Sequence, residues 1–146
     1  MTSTTSATSA TSATEAPNEH PHVTAYKRMI AAFNANDLTA VESLVHPDLV
    51  YSIPGKSPLA CNTRGVAAHL GVLRRARELS AGTLRLEPQA VASDGDFLFV
   101  WGRIRAERAG KVLDSEHCVM YKFSDGKVVE GRTIPLNLYR FDEFWG

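Results

Sequence analysis

Two histidines and two tyrosines are the side chains in this sequence best suited to chemistry inside a fold. His117 and Tyr121 belong to a segment of alternating residue types, so both lie on one side of a strand, and Lys122, which needs water, lies on the other. By the same alternation Tyr51 faces inward from an earlier strand, and His69 lies on the apolar side of a helix. A histidine with a pKa near neutrality exchanges protons, and a tyrosine hydroxyl can hold a carbonyl oxygen. These residues therefore predict acid–base or carbonyl-polarising chemistry.

A structural role is the alternative for each of these residues, because buried histidine and tyrosine side chains often satisfy one another or the backbone. Cys61 and Cys118 form no C-x-x-C pattern, which disfavours both a disulfide framework and a zinc cluster. Cys61 lies in a predicted loop, where it could act as a reactive thiol. His20 and His22 flank a proline and are interpreted as linker residues. The sequence implies no metal and no other cofactor.

The chain has 146 residues with 16 basic and 16 acidic side chains, so its formal net charge is zero. The length fits one domain, and without a net positive charge nothing steers the protein to nucleic acid or to an anionic membrane. No apolar run approaches the roughly 18 residues of a membrane span. We therefore expect no nucleic-acid partner and no membrane partner, and the sparse cysteines fit a reducing cytoplasm.

The first residues differ from the rest of the chain. Residues 2–14 are threonine, serine and alanine only, and residues 6–14 repeat the triplet Ser-Ala-Thr three times. Such a tract cannot build a core, so residues 1–21 are predicted to be a disordered Ser/Thr/Ala-rich tail. The tract also lacks the arginines of a transit peptide and the apolar segment of a secretory signal. Residues 22–146 then form the single folded domain.

The elements that must position the candidate side chains follow from the period of the apolar residues. Spacings of three and four residues predict helices up to residue 34, over 38–45 and over 64–79, with a strand at 49–53. After residue 82 the period changes to two, which predicts strands over 83–91, 97–107, 112–123 and 127–136 joined by glycine-containing turns. Helices followed by an antiparallel meander are typical of the α+β class.

Two of these strands carry further information. Both faces of the strand at 97–107 are apolar, so helices must cover one face and a second copy of the chain could cover the other. The two faces hold Phe97, Phe99 and Trp101 against Leu98, Val100 and Ile104. The last strand turns small residues inward, which leaves room for a bulky ligand, although its glycine could instead form a bulge. These inward residues are Val129, Gly131, Thr133 and Pro135.

Four short strings carry a family resemblance when taken in order: AAFNANDL at 31–38, HPDLV at 46–50, FSDGKVVE at 123–130 and DEFW at 142–145. They resemble the nuclear-transport-factor-two-like superfamily, particularly its SnoaL-like polyketide cyclase and ketosteroid isomerase branches. The resemblance implies a cone-shaped α+β barrel over residues 22–146, in which a strongly curved antiparallel sheet wraps around three N-terminal helices. It also implies a deep apolar pocket and a homodimer packed through the outer face of the sheet. Because relatives include cyclases, isomerases, hydrolases and inert binding modules, the pocket residues must decide the function.

The resemblance also indicates where relatives keep their catalytic groups, and here those positions carry unreactive side chains. The tyrosine, the base and the second acid of ketosteroid isomerases correspond to Met29, Ile53 and Val119. The aspartate of SnoaL-like cyclases corresponds to Leu136 or Asn137, and their histidine to Val119. Proton abstraction needs a positioned base and a donor where charge develops, so chemistry through the family's usual groups is not expected.

We therefore expect a cofactor-independent cyclase of polyketide biosynthesis that holds a large apolar intermediate in a reactive fold and closes its ring by a Diels–Alder-type [4+2] reaction. His117, Tyr51 and Tyr121 are the expected catalytic residues. The expected substrate-binding residues are Met29, Phe33, Ile53, His69, Leu73, Val119, Gly131, Thr133, Pro135 and Asn137. Two alternatives stay open: an aldol cyclase or isomerase with His117 as its base, and a non-catalytic, ligand-binding dimeric module.

Overall fold

A computed structural model describes residues 19–146, so most of the segment predicted to be a disordered tail lies outside the described residues. Four helices and six strands follow one another along the described chain. The helices are α1 (Pro21–Asn34), α2 (Leu38–Ser43), α3 (Val66–Leu79) and α4 (Leu138–Trp145). The strands are β1 (Val45–Ile53), β2 (Cys61–Arg64), β3 (Arg85–Asp94), β4 (Phe97–Arg108), β5 (Lys111–Ser124) and β6 (Lys127–Pro135).

The six strands form one sheet in the order β2-β1-β6-β5-β4-β3, and the α+β cone predicted from the sequence is confirmed. One part of that prediction is wrong, because the sheet is mixed: β1 runs parallel to β6, with Tyr51 beside Gly131. A parallel pair needs a long crossover, and α3 together with the β3–β5 meander supplies it. The antiparallel meander itself, from β3 to β6, is as predicted.

Strand β2 corrects the predicted loop that contained Cys61. Its four residues pair antiparallel with β1, from Val50 with Arg64 to Ile53 with Cys61. As an edge strand with alternating half-buried and exposed residues, β2 needs no apolar face. A polar segment of this kind gives no apolar alternation, which is why the sequence pattern indicated a loop.

The inner face of the sheet and the helices enclose the core. Leu98, Val100 and Ile104 of β4 are buried, whereas Phe97, Phe99 and Trp101 on the other face are exposed, as their alternation predicts. A fourth helix joins the three N-terminal ones, because the aromatic residues near residue 145 form α4. Phe141 and Trp145 of α4 are both buried in the core. Among the described residues no helix combines the length and the apolar character that crossing a membrane requires.

A bulge between β5 and β6 corrects the predicted inner face of the last strand. Lys122 pairs with Glu130 and Phe123 with Val128, so Val129 is the extra residue. Val128 is therefore buried in place of Val129. Gly131 lies within the regular ladder beyond the bulge.

Candidate functional site

A deep cavity lies between the concave face of the sheet and the helices. Its empty space is about 770 Å³, counting the space at its open mouth. Side chains from all four helices and from five strands line it, and most of them are apolar. Among the described residues that line it, none is Asp, Glu, Lys or Arg. An apolar lining with a few polar groups is typical of a small-molecule site.

The structure brings most of the predicted site residues to this cavity. The three predicted catalytic residues all line it, and so do seven of the predicted binding residues. These ten are His117, Tyr51, Tyr121, Met29, Phe33, Ile53, His69, Leu73, Val119 and Thr133. The other three predicted binding residues lie outside the cavity lining. Gly131 and Pro135 are buried but do not line the cavity, and Asn137 is exposed and caps α4 by accepting a hydrogen bond from the Arg140 amide at 3.1 Å.

The small size of Gly131 predicted room for a ligand at this position. The structure shows that neighbouring side chains fill that space. A Cβ atom at this position would lie 2.8 Å from Cε1 of Tyr121 and 2.9 Å from Cδ1 of Tyr51. The two tyrosine rings therefore occupy the space over the glycine. The ligand space lies beyond these rings, which form part of the cavity wall.

His117 projects from β5 into the cavity and is 2% exposed. Its neighbour across the ladder is Gly102, where a Cβ atom would lie 3.2 Å from the histidine Nε2, so the glycine makes room for the imidazole. The Nδ1 atom is buried without a hydrogen-bond partner among the described residues. Burial lowers the pKa of His117 to about 4, which corrects the expectation of a pKa near neutrality.

His69 reaches the same cavity from α3, which places it opposite the sheet. Its ring packs edge-on against Tyr51, with 4.4 Å between the ring centroids. Its Nδ1 atom is also buried without a partner in the described part of the chain. Burial lowers the pKa of His69 to about 4, so both imidazoles are neutral at pH 7.

Three tyrosines supply hydroxyl groups to the cavity. The Tyr51 hydroxyl forms a short hydrogen bond with the hydroxyl of Thr133. Burial raises the pKa of Tyr51 to about 12, and burial and the neighbouring tyrosines raise the pKa values of Tyr26 and Tyr121 above the usual range. The rings of Tyr26 and Tyr121 lie 5.8 Å apart. All three phenols therefore stay protonated and can donate hydrogen bonds.

Among the cavity residues that the sequence analysis missed, two carry hydrogen-bonding side chains, Tyr26 and Trp145. The helical spacing of Val23, Tyr26, Ile30 and Phe33 predicts only a buried helix face, although the Tyr26 hydroxyl is the one polar group on that face. Trp145 could not be placed, because its position depends on α4 folding back over the end of the cone. Its indole Nε1 is buried without a partner among the described residues, so it is another unused donor beside the cavity.

Two other types of reactive site receive no support from the described residues. Cys61 is half-buried in β2, and burial raises the pKa of its thiol, which disfavours the reactive thiolate. No group of three or more His, Cys, Asp or Glu side chains is placed to hold a metal ion in this part of the chain.

Comparison with known proteins agrees with this geometry. The sequence profile of the SnoaL-like domain matches residues 26–131. The uncharacterised protein Rv0034 of Mycobacterium tuberculosis is 31% identical over 121 residues, which are 82% of this chain and 92% of that protein.

Two solved structures illustrate how far the fold is shared. Bal32a, from a soil-derived mobile gene cassette, has a TM-score of 0.84 and 30% identity, covering 86% of this chain and 97% of its own. IdmH, a candidate polyketide cyclase from Streptomyces antibioticus, has a TM-score of 0.69 and 22% identity, covering 84% and 96%. At that identity IdmH shows the fold alone. On its sequence profile, its relatives and its cone architecture, this chain belongs to the SnoaL-like domain family of the nuclear-transport-factor-two-like superfamily.

Proposed function

We propose that this protein is a cyclase of natural-product biosynthesis that closes a ring in an apolar, polyketide-like substrate by a Diels–Alder-type [4+2] cycloaddition. The observation that carries the proposal is that the cavity walls are apolar and that their polar groups are all neutral at pH 7. The depressed histidine pKa values and the raised tyrosine pKa values leave no charged group there. Membership of the SnoaL-like family supports a small-molecule substrate.

A [4+2] cycloaddition fits such a cavity because it needs no base. Two carbon–carbon bonds form as the π electrons of a diene and an alkene rearrange, and no atom leaves. What the reaction needs is a substrate held with its two reacting segments in contact, since ordering a flexible chain is the main entropic barrier. The curved wall of β5, the face of α3 and the aromatic side chains of α4 would hold the substrate in that shape.

Neutral hydrogen-bond donors would then polarise a carbonyl group on the reacting alkene. In the Tyr51–Thr133 pair one hydroxyl donates to the other, so the accepting hydroxyl keeps its own proton for the substrate. The imidazole N–H groups of His69 and His117 and the hydroxyl of Tyr121 are further donors. Hydrogen bonds from such donors are stronger in a site that excludes water, because the local dielectric constant is low.

One alternative is an aldol cyclase or isomerase that uses His117 as its base. The unpartnered, buried imidazole favours it, because an unused nitrogen is free to take a proton. Against it, a base with a pKa of about 4 takes a proton from carbon only at a high cost. A non-catalytic binding module is the other alternative, and it would use the same cavity without turnover.

Reaction in D₂O separates these mechanisms. A synthetic linear substrate with a tethered diene and an enone is incubated with the protein, and the rate, the diastereomer ratio and the deuterium content of the product are measured. We expect an accelerated reaction to one diastereomer, with no deuterium on carbon and a rate that is constant from about pH 5.5 to about pH 9. Deuterium on carbon would support the acid–base alternative. Binding without acceleration would support the inert module.

Variants of the donors complete this test. Tyr51→Phe and His117→Ala should each slow the reaction about tenfold or less, because several donors share the polarisation. Tyr139→Phe is the matched control, since Tyr139 is 91% exposed and lies outside the cavity. If either cavity variant abolished turnover while ligand binding was unchanged, the shape-driven mechanism would be wrong.

We also propose that the protein is a homodimer that packs through the outer face of the sheet. Phe97, Phe99 and Trp101 of β4 are 38%, 49% and 39% exposed on that face, and Ile134 of β6 is 47% exposed. Such a patch on a monomer is costly in water and typical of a protein interface. The patch lies opposite the cavity, so the interface and the substrate would use different faces of the sheet.

A further inference from the structure

Three of the side chains that line the cavity hold a buried polar atom without a hydrogen-bond partner within residues 19–146. These atoms are Nδ1 of His69, Nδ1 of His117 and the indole Nε1 of Trp145. The three side chains are 5%, 2% and 1% exposed. In the described part of the chain only one other side chain, His22, has such an atom, and His22 does not line the cavity. The unsatisfied polar atoms are therefore concentrated around the cavity.

Such atoms are rare in folded proteins, because a buried polar group without a partner loses its hydrogen bonds to water and gains none in exchange. The same cavity contains polar groups that do have partners, since the hydroxyls of Tyr51 and Thr133 bond to each other. Departures from this rule are expected at functional sites. A ligand that supplied the missing partners would recover the lost free energy on binding.

The indole of Trp145 restricts the ligand most. An indole N–H group can only donate, so its partner must be an acceptor. Two aromatic neighbours, Phe141 and Phe144, have ring centroids 6.3 Å and 4.8 Å from the Trp145 ring. The face of an aromatic ring is a weak acceptor compared with a carbonyl oxygen. The N–H group of Trp145 therefore needs an oxygen acceptor that the described residues do not provide.

The histidines accept a wider choice of partners, but only uncharged ones. Burial lowers both histidine pKa values to about 4, so at pH 7 each imidazole has one N–H donor and one acceptor nitrogen and can bind a hydroxyl or a carbonyl group. The described residues that line the cavity include no Asp, Glu, Lys or Arg. An ionic ligand group would lose its hydration there without gaining a counter-ion. The groups that fit are uncharged oxygen functions.

The three side chains come from three different walls of the cavity. His117 projects from β5 in the sheet, and His69 projects from α3 on the opposite side. Trp145 belongs to α4, which closes the end of the cone. A ligand that meets all three side chains therefore carries oxygen groups on more than one side of its apolar body.

We propose that the natural substrate is an uncharged, oxygenated molecule, with a carbonyl oxygen that accepts a hydrogen bond from the Trp145 indole and a second oxygen group at the imidazoles of His69 and His117. The inference rests on the proposed function, since it assumes that the cavity binds the substrate. It adds the class of substrate. It also assigns Trp145 as a specificity-determining residue, a role that the cycloaddition itself does not require.

The indole N–H signals in two-dimensional proton–nitrogen NMR spectra provide the readout. The chain has two tryptophans, so Trp101→Phe identifies the signal of Trp145. The protein is titrated at pH 7 with four bicyclic probes: tetralin, 1-tetralone, 4-hydroxy-1-tetralone and the carboxylate of 1,2,3,4-tetrahydro-1-naphthoic acid. The probes share one apolar body. In this order they carry no oxygen, a carbonyl, a carbonyl with a hydroxyl, and a negative charge.

We expect 1-tetralone to move the Trp145 N–H proton signal downfield, as a new hydrogen bond does, whereas tetralin should not. Trp145→Phe should weaken the binding of 1-tetralone about tenfold and leave that of tetralin within about twofold, because it removes the N–H group and keeps an aromatic ring. Trp101→Phe is the matched control, since Trp101 is exposed on the outer face and does not line the cavity. It should change neither affinity.

The second oxygen group and the absence of charge are tested with the other two probes. 4-Hydroxy-1-tetralone should bind about fivefold more tightly than 1-tetralone. This gain should disappear in His69→Phe/His117→Phe, while the affinity for tetralin is retained. The carboxylate should bind roughly tenfold more weakly than 1-tetralone, or worse, because its charge would have no partner in the cavity.

Several results would overturn the inference while leaving the cavity's binding role intact. Equal losses of tetralin and 1-tetralone affinity in Trp145→Phe would show that the indole contributes packing alone. If this variant did not fold, an unmoved Trp145 signal with 1-tetralone bound to the unmodified protein would refute the hydrogen bond. A hydroxyl gain that survives in the histidine double variant would refute the second oxygen position. A carboxylate that binds more tightly than 1-tetralone would refute the uncharged class.

Failure of the proposed function would give a different result. If none of the four probes bound to the unmodified protein, the cavity would not be a binding site for apolar bodies of this kind. The proposed function would then fail together with this inference.

Discussion

Glycines at two inward-facing positions of the sheet set the shape of the candidate site. Gly102 leaves space for the imidazole of His117, and Gly131 lets the rings of Tyr51 and Tyr121 lie flat across β6. Each glycine thus gives a neighbouring polar side chain its place in the cavity wall. The chemistry of the site depends on residues that have no side chain of their own.

Replacing Gly131 by alanine should therefore disturb both tyrosines. A Cβ atom less than 3 Å from two rings forces them to move, and overpacking of this kind costs about 1–3 kcal/mol of unfolding free energy. Urea unfolding measures the loss. Gly71→Ala is the control, because no atom lies within 4 Å of the added Cβ in α3 and the change should stabilise the helix by about 0.5–1 kcal/mol. Equal effects of the two variants would contradict this role of Gly131.

At the scale of residues, the alternation along a strand predicted which side chains point inward, but it did not predict what surrounds them. It placed His117 and Tyr121 inside correctly, since the side of a strand follows from counting. It could not give the pKa of His117, because that value depends on burial by distant parts of the chain and on the lack of a partner. Asn137 was assigned from the family resemblance, but β6 ends at Pro135 and Asn137 instead caps α4, so it lies outside the cavity lining.

At the scale of elements, α4 closes the cone, and its C-terminal half is held by hydrogen bonds to two other parts of the chain. Asp142 accepts hydrogen bonds from the amides of Lys56 and Ser57 at 2.9 Å and 3.2 Å, which ties α4 to the β1–β2 connection. Arg108 and Lys111 donate to backbone carbonyls in the last turn of the helix. These contacts hold Phe141 and Trp145 against the cavity.

Asp142→Asn should weaken the attachment of α4 to the β1–β2 connection and lower the free energy of unfolding. The amide nitrogen of asparagine would face one of the two backbone N–H groups, so one hydrogen bond to a carboxylate is lost at a cost of about 1–3 kcal/mol. Urea unfolding followed by the signal of buried Trp145 would report it. Glu143→Gln is the control, since the only described contact of Glu143 with Lys111 uses its backbone carbonyl. A loss of similar size in both variants would argue against the Asp142 fastening.

The elements themselves were mostly predictable from the sequence. The three hairpins of the meander have local signals, a glycine-containing turn between two alternating segments, and all three form. The parallel contact of β1 with β6 has no such signal, because the partners are far apart in sequence. The polar edge strand β2 was missed for lack of an apolar pattern. The sequence therefore predicted what is local in the fold.

At the scale of the whole molecule, the exposed aromatic patch should decide the oligomeric state. Phe99→Glu places a charge at the centre of the proposed interface. The free energy of dimer association should become less favourable by about 2 kcal/mol or more, which raises the dimer dissociation constant roughly 30-fold. Sedimentation velocity measures the change. Tyr139→Glu is the control, because Tyr139 is exposed and lies outside the sheet. A wild-type protein that sediments as a monomer would refute the proposed dimer.

The position of β6 between β1 and β5 also affects how the protein is made. β1 gains its long partner only after residues 127–135 have been synthesised, although β1 itself ends at Ile53. At about 5–20 residues per second, the ribosome needs about 4–15 s to add the chain between these two strands. During that time the apolar face of β1 is not yet covered, and the edge that pairs with β6 has no partner strand. We therefore expect the cone to close only near the end of translation, and nascent chains that stop before β6 to depend on chaperones.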